Sequence, residues 1–451
     1  MSSAILVGEV CGEINRAKKT ILPLPQKARG RKDHIRMIRS TIKATNPRQQ
    51  DDDDNDRNDG RRRETHSGFR SLTWSKVYLA FAVGYLMHSM IDKITNLDSE
   101  LSSTPQIRTA SKNKRITNYV PSSCENYIME HAVELGYDTF TNAINPSGCT
   151  IWKDVTATNT EIYNQLQSYS INLDKYNTAV RNFEPIPDLM IGIREGNYDV
   201  CSSTKLHERG LNGMFPSRQL SLTKSGYVEP LTPPMRSHKF CFNASIPNLM
   251  SLDYLVHDYE AMCRNLKPTS KRVLFDLGAT LNLGKANGLP IMMQLMEEYE
   301  KFGFVFDHIY AFEVTKIDAQ HIYENLLPAK YFASYHWINV GVNAEEGNRM
   351  NPINSILDKF DEDDFIVFKL DIDTASIEVP LAYQLFEGGK DGIFHRLIDQ
   401  FYFEHHVHVA ELRPFWGLQK NGRVHWNGTI KDTLDLFHGM RSKGIPAHFW
   451  P

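Results

Sequence analysis

Three short apolar runs in the second half of the chain each end in an acid, and few folds accept that pattern. Val273, Leu274 and Phe275 lead into Asp276, Gly278 and Ala279; His308–Glu313 (HIYAFE) ends in Glu313; Phe365–Asp373 (FIVFKLDID) ends in Asp371 and Asp373. Uninterrupted apolar runs of this length are expected of parallel strands covered on both faces. Three further runs, Trp337–Val342, Gln400–His408 and Ile445–Trp450, read as strands in the same way. Helical periodicity fills the gaps at Leu289–Phe302, Lys316–Leu327, Ile353–Phe360, Ile377–Glu387 and Thr429–Lys443, and a further helix is expected over Leu249–Asn265. Strands alternating with helices predict an α/β fold with a doubly wound, mostly parallel sheet. In such a sheet the carboxyl ends of the strands open onto the ligand crevice, so the three acid tips mark one candidate site.

The first half of the chain reads differently. Before position 71 there are 16 Lys and Arg against 10 Asp and Glu, while the whole chain carries a net charge of −3. A basic tail therefore precedes an acidic body. The basic blocks lack interleaved aromatic residues, which argues against a nucleic-acid partner. Residues 1–70 hold too little apolar surface to offset chain entropy and are expected to be disordered. Leu72–Ile91 then offers 20 residues interrupted by one full charge, Lys76, long enough for one transmembrane helix. Arg61–Arg63 and Arg70 on its amino side predict a signal anchor with the tail in the cytoplasm and the body in the lumen of the Golgi or endoplasmic reticulum. The sequons at Asn243 and Asn427 are consistent with a lumenal glycoprotein. Residues 92–123 read as a stalk, 124–268 as a front segment packed on the main domain, and 269–451 as the main domain. Of six cysteines, Cys11 lies in the tail and five in the body, with no Cys-x-x-Cys pair; a lumenal body permits up to two disulfides with one thiol left over, and buried free thiols in a reduced protein are the alternative.

The strand ends resemble a known family. Asp276-Leu-Gly-Ala279, Ala311-Phe-Glu313, Lys369-Leu-Asp-Ile-Asp373 with Glu378, and Phe403-Glu-His405 are similar, in that order, to motifs of FkbM-type S-adenosylmethionine-dependent methyltransferases. The resemblance implies a Rossmann-like fold and an O-methyltransferase acting on a sugar, lipid or small-molecule hydroxyl. It also implies S-adenosylmethionine as cofactor, with Asp276, Gly278 and Ala279 at its methionine end, Glu313 on its ribose and Asp371 near the transferred methyl. Two positions differ from the family pattern: Asn282 stands where a glycine is usual, and Asp373-Thr374 where Glu-Gly is usual.

Read from chemistry alone, His405 is a candidate general base with Glu404 beside it, since imidazole titrates near neutral pH and methyl transfer to oxygen requires loss of a proton. Strand alternation places Glu404, His406 and His408 on one face and His405 on the other, but without a second cluster at ligand spacing no metal is expected. Two alternatives stay open: a type II glycosyltransferase using Asp371-x-Asp373 with Mn2+, and a methyltransferase-like module without activity.

Overall fold

The computed structural model describes residues 119–451, apart from 140–146, 156–157, 212, 217, 282–289, 389–391 and 417–427. The expected disordered tail, the expected transmembrane helix and most of the stalk lie outside the described residues, as do Asn282 and Asn427. Among the described residues no helix is long and apolar enough to cross a membrane.

Strands β1 (Ser221–Thr223) and β2 (Gly226–Val228) form an antiparallel hairpin in the front segment. The main sheet comprises β3 (Arg272–Leu277), β4 (His308–Phe312), β5 (Tyr335–Ile338), β6 (Phe365–Leu370), β7 (Ile398–Phe403) and β8 (Ala447–Phe449). Their spatial order is β5-β4-β3-β6-β7-β8, and every neighbouring pair is parallel. All residues of β3, β6, β7 and β8 are buried, which is why Val273–Phe275 and Ile366–Phe368 run apolar without alternation. Phe275 stacks between Tyr310 and Phe368, with ring centroids 5.4 and 5.3 Å away, so one aromatic ladder crosses the three central strands. From β3 the chain winds outward through β4 and β5, then returns to the other side of β3 with β6. The crevice between the ends of β3 and β6 is therefore the topological switch point.

Five helices matter for the site and its support: α1 (Ser123–Glu130), α2 (Thr160–Arg181), α3 (Ile291–Lys301), α4 (Ala375–Glu387) and α5 (Ile430–Ser442). Helix α3 buries Ile291, Met292, Leu295 and Met296, the face its periodicity predicts. Helix α5 starts from a reciprocal cap between Thr429 and Asp432.

Some expectations need correction. The helix expected over Leu249–Asn265 shortens to Tyr259–Arg264, because the Val256 amide donates to Glu229 and His257 bridges to Val228 of β2. The expected helix at Lys316–Leu327 is one short turn, Ala319–His321, followed by a wider one, Ile322–Leu326. The strand expected over Gln400–His408 stops at Phe403.

The front segment shares the core of the main domain. Arg441 of α5, fully buried, donates to the Glu229 backbone carbonyl at 2.8 Å and pairs with Glu229 at 3.2 Å and Glu125 of α1 at 3.4 Å. Two disulfides, Cys149–Cys241 and Cys201–Cys263, close loops of 92 and 62 residues within this segment, and Cys124 is a buried free thiol. Loops of such length are worth roughly 4–5 kcal/mol each by chain entropy. Peptide mapping of unreduced protein is expected to recover these two pairs, with Cys124 the only body cysteine alkylated after denaturation; reduction should lower the urea midpoint. Other pairings, or a fully alkylated body, would contradict the arrangement.

Candidate functional site

Each strand of the central group is extended past its last residue by a bond to its neighbour. The amides of Gly278 and Ala279 both donate to the Phe312 carbonyl, at 3.0 and 2.9 Å, Asp371 N donates to Leu277 O at 3.1 Å, and Glu404 N donates to Leu370 O at 3.2 Å. The acid tips are thereby carried on a continuous hydrogen-bonded ledge rather than on free loops. Gly278 has φ +85°, and a Cβ there would lie 1.6 Å from the Asp371 carbonyl oxygen. Only glycine fits. The space left by the missing Cβ is taken by the β6 exit, while Gly278 itself lines the cleft described below. Ala279, also expected at the cofactor, is fully buried and is not among the residues that line the cleft described below.

Lys369 sits at the centre. Its ammonium is 3.2 Å from Asp276 and 3.3 Å from Asp371, and it donates to the carbonyls of Leu277 at 3.1 Å, Gly278 at 3.0 Å and Asp371 at 3.4 Å. Burial opposes its charge, but Asp276 and Asp371 outweigh that and hold its pKa above the ordinary lysine value. Asp371 also accepts a hydrogen bond from the indole of Trp450 at 3.1 Å.

Above this ledge lies a cleft of about 450 Å³, within the ~300–1,000 Å³ span of small-molecule sites. Leu249, Met250, Ile291, Met292 and Phe415 form its apolar side; Asp276, Lys369, Asp371, Asp373, Glu404 and His406 form the polar one. Arg236, from the front segment, reaches in to hold Glu404 at 2.6 Å. The other Glu404 oxygen is 3.0 Å from His406 Nε2, and Asp373 is 3.8 Å from the same nitrogen.

Charge is unevenly distributed here. Burial pushes Asp371 up, with Glu404 adding to the effect against Lys369. Glu404, although buried, is held well below the usual carboxylate range by the His406 hydrogen bond and by Arg236. His406 resists its own burial because Glu404 raises its pKa. Glu378 of α4, which accepts the Ile372 amide at 2.7 Å, is pushed up from 4.5 to about 7, chiefly by burial.

Of the expected site residues, Asp276, Gly278, Asp371 and Glu404 line this one cleft. Glu313 stands beside it at the end of β4: it accepts from the Thr315 amide at 2.5 Å and from the Thr280 hydroxyl at 3.3 Å, and Thr280 lines the cleft. His405 points elsewhere. Its ring stacks on Phe403, and Nδ1 is 2.9 Å from the Thr433 hydroxyl of α5, so the imidazole in the cleft is that of His406. Past the end of β7 at Phe403 the alternate residues Glu404 and His406 line the cleft, but His408, expected on the same face, does not. Asp371 and Asp373 part company as well, the first held by Lys369 and Trp450, the second beside His406. Arg236 and Trp450 carry no motif. Lys369 belongs to a quoted motif, yet a lysine inside an apolar strand was its only signal. No protein-family model, curated protein or solved structure matches the chain.

Two outcomes test this electrostatic arrangement. Lys369→Met leaves Asp276 and Asp371 buried without their shared cation and should cost roughly 3–5 kcal/mol in urea unfolding; a loss under about 1 kcal/mol would show that the ammonium is not the keystone. Glu378 has its folded pKa raised from 4.5 to about 7, so it binds more protons folded than unfolded, and stability falls as pH rises between those values. Glu378→Gln should be neutral near pH 4 and stabilising, on the order of 2–3 kcal/mol, above pH 8; a pH-independent effect would refute the assignment.

Proposed function

We propose that this protein is a Rossmann-like methyltransferase, anchored in a membrane by Leu72–Ile91, that moves a methyl group from S-adenosylmethionine to a hydroxyl of a sugar, lipid or small metabolite. The observation that carries the proposal is the convergence of Asp276 and Asp371 in one cleft at the switch point, with Glu313 one threonine away. That is the region in which doubly wound sheets take nucleoside ligands.

The residues suit the cofactor. A cleft with a carboxylate surplus favours a ligand bearing a sulfonium and an ammonium, and the apolar wall of Ile291 and Met292 offers a surface for an aromatic base. Glu313 engages its oxygens with one amide and one hydroxyl, leaving acceptor capacity for a ribose diol. When bound, the cofactor supplies an activated methyl, so the protein's task is chiefly alignment. Glu404, anchored by Arg236, orients His406 towards the cleft; the pair is placed to draw the proton from an acceptor hydroxyl. The two disulfides and the exposed Asn243 sequon support a lumenal body.

The glycosyltransferase alternative has less support, because Asp371 is held by Lys369 and Trp450 rather than paired with Asp373. Calorimetry with S-adenosylmethionine should show saturable binding by wild type, weakened at least about tenfold, or 1.4 kcal/mol, in Asp371→Asn and in Glu313→Gln. Absence of binding by wild type, or unchanged affinity in both variants, would overturn the proposal.

A further inference from the structure

We propose that Asp373, Glu404 and His406 form a binding site for a divalent first-row metal ion at the acceptor end of the cleft. Sequence spacing conceals this site, since one ligand leaves β6 and two leave β7, and only the sheet brings them together.

One donor atom from each residue can be chosen so that all three lie within 4.8 Å of one another. His406 Nε2 is the hub, 3.0 Å from Glu404 Oε2 and 3.8 Å from Asp373 Oδ1. An ion about 2.0–2.2 Å from each of its ligands places neighbouring donors roughly 3.0–3.6 Å apart. Glu404 and His406 already meet this, and Asp373, whose side chain is 84% exposed, has only to swing inward slightly.

The support behind the ligands points the same way. Arg236 holds one oxygen of Glu404 at 2.6 Å and leaves the other directed at His406. Outer contacts that fix a ligand in this manner are typical of metal centres. The charge count agrees: Asp276, Asp371, Asp373 and Glu404 line the cleft with Glu378 close enough to feel His406, against Lys369 and Arg236 as the permanent cations among the described lining residues. A divalent ion balances that surplus.

Three protein ligands facing a cleft of about 450 Å³ leave open coordination positions, the arrangement of sites that bind a substrate oxygen. Mixed imidazole and carboxylate donors suit Mn2+ and Zn2+. This differs from an Asp371-x-Asp373 chelate, because Asp371 is occupied by Lys369. An ion here takes over the task of acidifying a bound hydroxyl, as metal-bound oxygen loses its proton near neutral pH; His406 is then a ligand rather than a base. Metal binding itself does not depend on the methyl-transfer reading.

The test uses full-length protein titrated with MnCl2 and with ZnCl2, followed by calorimetry and by the electron paramagnetic resonance of Mn2+, with no cofactor present. Wild type is expected to bind one ion saturably. His406→Ala and Asp373→Asn should each weaken binding at least ~10-fold, while Asp358→Asn, a surface acid elsewhere, should not. Asp373→Asn decides the matter if His406→Ala fails to fold, because its side chain is exposed and asparagine tolerates the φ of +54° found there. No saturable binding of either metal by wild type, or unchanged affinity in Asp373→Asn, overturns the proposal. Titration with S-adenosylmethionine alone separates the two ideas: metal binding without cofactor binding defeats only the methyltransferase reading, and the reverse defeats only the metal site.

Discussion

The ammonium of Lys369 is the point on which the cleft depends. It is buried between two carboxylates and takes three backbone carbonyls from the ends of β3 and β6. A buried charge is tolerated only when its partners repay the loss of water, and here all of them come from the strand ends that form the floor of the cleft. Gly278 completes the junction. Without a Cβ it allows the Asp371 carbonyl to approach, so β3 and β6 stay in contact one residue beyond their ladder. Lysine and glycine act jointly: the glycine brings the two exits together, and the lysine neutralises the acids that the approach concentrates.

A second buried network decides what surrounds that floor. Arg441 of α5 joins Glu125 of α1 to Glu229 after β2, and Glu229 also accepts from His448 of β8, whose other ring nitrogen meets Gln400 of β7. These contacts run through the far edge of the sheet and make the front segment part of the main domain. With the segment docked, Arg236 reaches the cleft and anchors Glu404, while the Trp450 carbonyl receives the other arm of the same guanidinium at 2.9 Å. A stretch without any recognisable motif thus supplies the cation that keeps a cleft carboxylate ionised.

The cleft divides its charge. Glu404 stays anionic because Arg236 and His406 both face it, whereas Asp371 shares Lys369 with Asp276 and is pushed towards its neutral form by burial and by Glu404. Asp373 and Glu378 are raised as well. For Asp371 and Glu378 burial is the chief cause, and the neighbouring Glu404 adds to it. Among the described lining residues the apolar ones offer dispersion and desolvation, and the charged ones come from the strand ends and Arg236.

The sequence by itself determined the sheet. Apolar runs such as Val273–Phe275 and Ile366–Phe368 can be buried only on both faces, and the helical periods between them leave parallel crossovers as the natural connection. It also marked Asp276, Glu313 and Asp371 as acids at strand ends, whereas the stop of β7 before Glu404 was not legible in the local pattern. Only the tertiary structure decided which groups those acids meet. Lys369 reaches Asp276 across a strand pair nearly a hundred residues apart in the chain; Arg236 arrives from a segment whose route depends on the Arg441 network; and His405, the expected base, is taken up by Thr433 of α5, which leaves His406 as the imidazole in the cleft. Periodicity is a property of neighbours in the chain, whereas pairing of charges is a property of neighbours in space, and burial makes the second energetically decisive.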